Sequence, residues 1–458
     1  MKKNNINYLL LAFVLLFSII AKGQDNNMFY HMENMPQAYD LNPANLHDGS
    51  KIIFSLPGLT RYNVGINSTF SIDKVASKQG NDLLIDLDKF YNNIPDQNFL
   101  SQSFSMPLLN FQLRTNDQVF SFSVNERELL RMGFEKNLIG FLNSGNAAYV
   151  GSTFSTNLDM NMLHYREYNL GYTRKVIDNL TAGIRIKLLT GFAAVNTGVS
   201  KFSITTDSNM EYIEIATEGD YNISIPMVAP QTNGNLFDVV STEGELDPIG
   251  YALNFSNMGV GIDLGVNYQL TPEIELSASV LDLGTIGWKS NLTHLTHGGS
   301  FKWEGLDFSN SIDENDPNYV PFDEQITKLE EDITNSLNMK ATADEFSTTL
   351  PTRIYVGGQY KVNEMFTAGL VDQLMLYDGI LTNAVTLSGN ALFLNAISVS
   401  ASYSIIGNSY TNLGLGAAFK AGPVQFFIAT DNLLAITSPL SAQHMNASFG
   451  FNFMLGQK

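Results

Sequence analysis

The stretch MGVGIDLGVNYQLTPEIELSASVLDLGTIGW, running from Met258 to Trp288, decides the fold. In its first arm Val260, Ile262, Leu264, Val266, Tyr268 and Leu270 alternate with Gly261, Asp263, Gly265, Asn267 and Gln269. Successive side chains of a β-strand point to opposite faces, so this arm has one apolar and one polar side. After a turn at Leu270-Thr271-Pro272-Glu273, a second arm sets Ile274, Leu276, Ala278 and Val280 against Glu275, Ser277 and Ser279. Such a hairpin suits a half-buried soluble sheet. It also suits a transmembrane β-barrel, whose apolar side meets lipid while its polar side faces a lumen.

The neighbouring segments favour the barrel. In Leu180–Leu189, the aliphatic face Leu180, Ala182, Ile184, Ile186 and Leu188 opposes Thr181, Gly183, Arg185 and Lys187. Two cations on one strand face are costly against lipid and acceptable in a wet lumen. Ile397–Ile405 alternates with four serines, and Ala447–Leu455 sets Phe449, Phe451 and Phe453 against Ser448, Gly450 and Asn452. Short connections at 174–180, 269–273 and 360–365 separate long ones at 202–256 and 289–350, as in barrels with short periplasmic turns and long outer loops. Tyr172, Tyr268, Tyr360 and Phe366 flank the short turns, where an aromatic girdle belongs. The expectation is an all-β chain: an antiparallel transmembrane β-barrel of about 14 strands with short helices in its loops, one at 135–142 and one at 323–337.

The chain opens with Lys2 and Lys3, an apolar run from Tyr8 to Ile20, and Ala21-Lys22-Gly23. That pattern predicts a cleavable export signal over residues 1–23. Residues 24–50, rich in Pro and Asn, read as a plug-like segment inside the barrel or across its periplasmic mouth, and 51–458 as the barrel itself. There is no cysteine, which excludes disulfides, thiolate chemistry and a lipid-modified cysteine. A formal net charge of −19 argues against nucleic acid, which needs clustered cations against phosphate.

Several pieces of sequence, in order, resemble a known group: Asn42-Pro43-Ala44, GNAAYVGSTFS (145–155), YREYNLGYTRKV (165–176), LTAGIRIKLLTG (180–191), VLDLGTIGW (280–288) and ATDNLL (429–434). The group is a family of Bacteroidota outer-membrane barrels known only as a domain of unknown function. It is distantly similar to FadL-type fatty acid transporters and to the PorV and PorP proteins of type IX secretion. The resemblance implies an outer-membrane location and carries over no catalytic residues.

No chemistry-bearing motif stands out. GVGIDLG (259–265) lies inside a strand with no helix behind it, so its glycines are read as relieving crowding on the inner face and not as a phosphate loop. His294 and His297 have metal-like spacing, but Gly298-Gly299 suggests a loop and no third ligand is evident. Asp313, Glu314 and Asp316 read as a solvated acidic loop, not a calcium site. No nucleophile motif surrounds His164 or His444, so neither an enzyme nor a cofactor is expected. Two groups remain as candidate sites: a lumen charge cluster of Arg166, Glu167, Arg174, Arg185 and Lys187, and a partner-facing helix stripe of Ile326, Leu329, Ile333 and Leu337. The leading functional expectation is a FadL-like passive transporter or channel for small molecules, hydrophobic ones among them. The alternative is a non-transporting accessory subunit of an envelope machine. The expected surroundings are outer-membrane lipid, with other envelope proteins meeting the outer loops.

Overall fold

A computed structural model describes residues 27–46, 50–56, 61–80, 82–115, 117–226, 228–230, 240–242, 250–251, 253–305, 317, 319–407 and 409–456. The expected signal at 1–23, Asn116 and the acidic run at 313–316 lie outside these residues. The wall opens with β1 (Ile52–Ser55) and β2 (Arg61–Ser68), which share one position, and a small outer hairpin follows, β3 (Ala76–Gln79) and β4 (Asp82–Ile85). Next come β5 (Gln97–Thr115), β6 (Gln118–Glu135), β7 (Ser152–Ile177) and β8 (Leu180–Thr206). Outside the wall lie β9 (Ile213–Ser224) and the pair β10 (Val228–Pro230) and β11 (Val240–Thr242). The wall resumes with β12 (Asn257–Gln269) and β13 (Ile274–Trp288), leaves again for β14 (Leu292–Trp303) and β15 (Lys340–Thr342), and returns with β16 (Phe346–Thr349) and β17 (Thr352–Lys361), which share one position. It ends with β18 (Phe366–Tyr377), β19 (Ile380–Phe393), β20 (Ile397–Ile406), β21 (Ser409–Ala421), β22 (Val424–Thr430) and β23 (His444–Leu455).

Every neighbouring pair is antiparallel, and β23 closes on β1 and β2 (Ile52 opposite Leu455, Asn67 opposite His444). The result is a closed 14-strand barrel. Closure leaves the wall without edges, the condition for placing β-structure in lipid. The alternation read from the sequence is the alternation of the wall. Leu170, Ile186, Val260, Leu370, Leu387 and Ile428 stand exposed on the outside, whereas Asn169, Lys187, Asp263, Thr386 and Ser448 are buried within.

The turns joining β5–β6, β7–β8, β12–β13, β17–β18, β19–β20 and β21–β22 gather at one end, where the wall also begins and ends. Outer-membrane barrels carry their short turns at the periplasmic end, and this end is called the periplasmic end on that convention. Tyr268, Tyr360 and Phe366 are exposed there beside their turns. At the opposite end two connections are also tight, Asp378-Gly379 and the one between β20 and β21, so long loops fill only part of that rim.

Several strands far outrun their expected lengths. A barrel strand needs ~9–11 residues to cross the membrane, while β7 has 26 and β8 has 27. Thus β8 pairs with β12 over Leu180–Gly191 and then with β9 over Ala194–Thr206, carrying a sheet of β8, β9, β14 and β15 beyond the bilayer. The weak strand signals over 202–224 reflect this solvated sheet, which has no lipid to impose a clean period. The helix expected at 323–337 is present as Phe322–Ser336 with no buried residue. Its stripe of Ile326, Leu329 and Ile333 is half-buried, and Leu337 is buried beyond the helix end.

Candidate functional site

Asn27–His31 forms a single 3-10 turn and Ala38–Leu41 a helical turn, and together they lie inside the barrel. Met28, Phe29, Met35 and Leu41 are buried among the inward Leu281, Tyr355, Val371, Phe427 and Ala429, giving the lumen an apolar core. The segment is also hydrogen-bonded around the wall. Ser398 and Gln425 donate to the carbonyls of Glu33 and Asn34, Gln37 pairs with Asn452, and Ser279 donates to the Leu41 carbonyl. The Asn42-Pro43-Ala44 turn is built by its first side chain. Asn42 Oδ1 accepts from the Ala44 amide at 2.8 Å, and Asn42 Nδ2 donates to Asn267 at 2.8 Å. Thr173 donates to the Pro43 carbonyl at 2.5 Å.

Two glycines let this turn approach the wall. A Cβ on Gly183 would stand 2.1 Å from the Pro43 oxygen, and one on Gly265 would stand 2.1 Å from Asn42 Oδ1. The inner-face crowding inferred for the glycine-rich strand is, at Gly265, crowding against this segment.

Above the turn lies a layer of buried charge. The Lys187 ammonium meets Glu167 at 3.2 Å, Asp263 at 3.0 Å and also Asp282. Arg127 and Asn125 hold the other Glu167 oxygen, at 3.1 and 2.8 Å. Arg353 grips one oxygen of Asp282 through Nε at 3.0 Å and Nη2 at 2.5 Å. Arg185 joins Asp263 at 2.9 Å, donates to the Tyr39 carbonyl at 2.6 Å and stacks 4.9 Å over the Tyr39 ring. Arg61 pairs with Asp40 at 3.1 Å. The inner segment is therefore clamped to the charge layer at Tyr39 and Asp40. Buried charges persist only when paired, and here each is paired, although Arg61 Nε is buried with no hydrogen-bond partner among the described residues.

Asp282 enters the lumen through a bulge. Between the pairs Ile262–Leu283 and Leu264–Val280, β13 spends one residue more than β12, and Asp282 takes φ +60°. An extra residue re-aims the side chains around it, so Leu281 and Asp282, though adjacent, are both buried on the inside. The Asp282 amide donates to Asp263 Oδ1 at 2.7 Å, which fixes the bulge against the next strand.

Of the five residues expected to cluster in the lumen, the structure brings together Glu167, Arg185 and Lys187. Arg166 and Arg174 lie elsewhere. In the regular part of β7 adjacent residues take opposite faces, so Arg166 points outward from beside the inward Glu167, and its Nε donates to Glu126 at 2.7 Å beside His164. Arg174 shares that outward parity and sits exposed at the periplasmic end of β7. Arg61, Arg127, Asp263, Asp282 and Arg353 complete the layer. Inward parity on paired strands could have flagged all but Asp282. His294 and His297 lie within strand β14, not in a loop, and point to different partners: His294 to Asp220 and Asp344, His297 to Thr217. No cluster able to hold a metal occurs among the described residues.

At the outer end a cavity of about 500 Å³ opens between β2, β5, β6, β18–β21 and β23. Phe99, Leu129, Met375, Tyr377, Ile380 and Ile406 give it a mainly apolar lining, with Asn67, Asn383 and Gln443 among the polar groups at its rim. Ligand pockets run ~300–1,000 Å³, apolar with a few placed polar groups, and the cavity fits that description.

The chain belongs to the family of unknown function DUF5723, whose model matches residues 43–431. No curated protein matches it. Among solved structures it is similar to the Ralstonia pickettii toluene transporter TbuX, at 9% identity over 93% of this chain and 95% of that one, with a TM-score of 0.41. It is also similar to the Pseudomonas putida toluene transporter TodX, at 9% identity over 94% and 97%, with a TM-score of 0.41. A Pseudomonas aeruginosa FadL homologue is similar at 9% identity over 93% and 95%, with a TM-score of 0.36.

Proposed function

We propose that this member of DUF5723 is an outer-membrane barrel that receives small apolar molecules at its outer mouth and passes them inward past the N-terminal segment. The observation that carries the reading is the cavity: a mainly apolar chamber of about 500 Å³ at the outer end of a lumen that also holds the N-terminal segment and the charge layer. The inner segment and the salt-bridged layer across the lumen weigh against a standing aqueous pore. Passage on this reading requires the clamp at Tyr39 and Asp40 to shift, which makes it gated. The function is binding and passage, not catalysis.

A second reading, an accessory subunit of an envelope machine, draws on the sheet of β8, β9, β14 and β15 that stands beyond the bilayer with the helix Phe322–Ser336. One experiment separates the two. The tagged protein is extracted from its native outer membrane in mild detergent, and everything that co-purifies is identified. A lone barrel carrying a small apolar molecule, lost when Met375→Trp fills the cavity, supports passage. A stoichiometric protein partner with an empty cavity overturns it in favour of the accessory reading.

A further inference from the structure

The ligand class can be narrowed from the charges around the cavity, an inference that rests on the reading of the cavity as a ligand site. Among its lining residues there is one guanidinium, Arg131, and no lysine or carboxylate. That guanidinium is already engaged. Its Nη1 lies 2.8 Å from Asp159 Oδ2, and its plane sits 5.4 Å over the Phe99 ring. The pair is built into the backbone: Asp159 lies opposite Gly133 on the neighbouring strand, and a Cβ there would stand 2.1 Å from Asp159 Oδ1. With glycine at 133 the carboxylate lies over the neighbouring backbone and reaches Arg131; a larger residue would require it to move. The rim amides are neutral and partly engaged, Asn67 Oδ1 with His444 Nδ1, Gln443 Nε2 with the Thr69 carbonyl and Asn383 Nδ2 with Asp372 Oδ1 at 2.5 Å. This leaves Asn67 Nδ2 and Gln443 Oε1 to meet a ligand.

We infer that the cavity takes uncharged amphiphiles, molecules with an apolar body and a single hydroxyl or carbonyl head, and discriminates against carboxylates. A hydroxyl entering the rim exchanges water for an amide partner at little net cost. A carboxylate loses much more hydration and finds the one nearby cation neutralised by Asp159. The ion pair thus acts by charge balance, holding Arg131 as part of the wall.

The shape-matched pair 2-phenylethanol and phenylacetate tests this on the full-length barrel in detergent at neutral pH, by titration calorimetry. The expected result is that the alcohol binds at least ~10-fold more tightly than the acid, a difference of about 1.4 kcal/mol. Asp159→Asn, which removes the neutralising charge, should reduce that ratio or invert it. Arg131→Gln should leave affinity for the alcohol within ~3-fold, because the alcohol does not depend on the cation; ~3-fold is about 0.65 kcal/mol. Equal or tighter binding of phenylacetate by the unaltered protein overturns the inference while leaving the cavity reading intact. Loss of alcohol binding in Arg131→Gln overturns it too, since the cation would then be the recognising group. Binding of neither molecule, with nothing small carried from the native membrane, defeats the cavity reading and the inference with it.

Discussion

Replacing Lys187 with methionine, which keeps most of the side-chain volume, isolates the contribution of its charge. The ammonium contacts Glu167, Asp263 and Asp282, and the three side chains are 5% exposed or less. Arg127, Arg185 and Arg353 still hold one carboxylate each after the substitution, so no acid is wholly orphaned. Each nevertheless loses a buried counter-charge, and the three repel one another more strongly. Breaking a buried pair by removing one partner costs about 3–5 kcal/mol. Taking about 4 kcal/mol, the folded-to-unfolded ratio falls by ~10³. The measurement is urea-induced unfolding of the barrel in lipid vesicles, followed by the mobility shift between folded and unfolded forms on gels. Arg174→Met, on the exposed periplasmic end of β7, is the control and should lie within about 0.5 kcal/mol of the parent. A Lys187→Met barrel as stable as the parent would refute the reasoning, and so would an Arg174→Met barrel equally damaged.

Three further outcomes follow from other parts of the molecule. Gly183→Val puts a branched side chain where the Pro43 oxygen stands 2.1 Å from an ideal Cβ, so the inner segment must leave its seat. Planar-bilayer recordings should show higher conductance, and a barrel as closed as the parent would count against the seating described. Leu387→Arg, outward on β19 and 57% exposed, should destabilise the barrel in vesicles by about 2–4 kcal/mol if that face meets the bilayer core, whereas a neutral effect would place it outside lipid. His294 lies beyond the bilayer between Asp344 and Asp220. Partial burial pulls its pKa down, but hydrogen bonds to those two carboxylates outweigh this and raise it above 6.5. A raised folded pKa means the β9–β14–β15 contact gains stability that is fully present below 6.5 and lost as pH rises through the folded value. The protection of the Lys340–Thr342 amides, after correction for the base-catalysed rise in intrinsic exchange, should fall over that rise, and His294→Phe should abolish this change in protection.

The outer half of this protein was legible because lipid is a uniform partner. Every outward position between the girdles faces the same solvent, so Val260, Ile262, Leu264 and Val266 obey one rule, and the closed barrel follows from repeating it. The inner half answers to no common rule. Each inward residue meets a different neighbour, often one distant in sequence: Gln37 bonds Asn452 across 415 positions, and Ser398 reaches the Glu33 carbonyl across 365. A period of two assigns Glu167 to the lumen and Arg166 to the outside. It does not reveal that Glu167 stands between Arg127 and Lys187.

Asp282 shows where period alone fails. Strict alternation from Ala278 and Val280, which face outward, would send Asp282 outward as well. One extra residue in β13, absorbed by a positive φ, turns it into the lumen and onto Arg353 and Lys187. The structure offers a reason for the break: Lys187 already faces Glu167 and Asp263, and Arg353 needs a carboxylate of its own. An unpaired buried guanidinium costs several kcal/mol, more than one strained backbone residue at ~1–3 kcal/mol, so the bulge is the cheaper arrangement. The same comparison applies to the pair on the outer wall. Arg166 and Glu126 occupy lipid-facing parity yet hydrogen-bond one another at 2.7 Å, with His164 and Tyr251 beside them. In both places charge is tolerated because it is matched locally, and a strand's face determines only which partners are within reach.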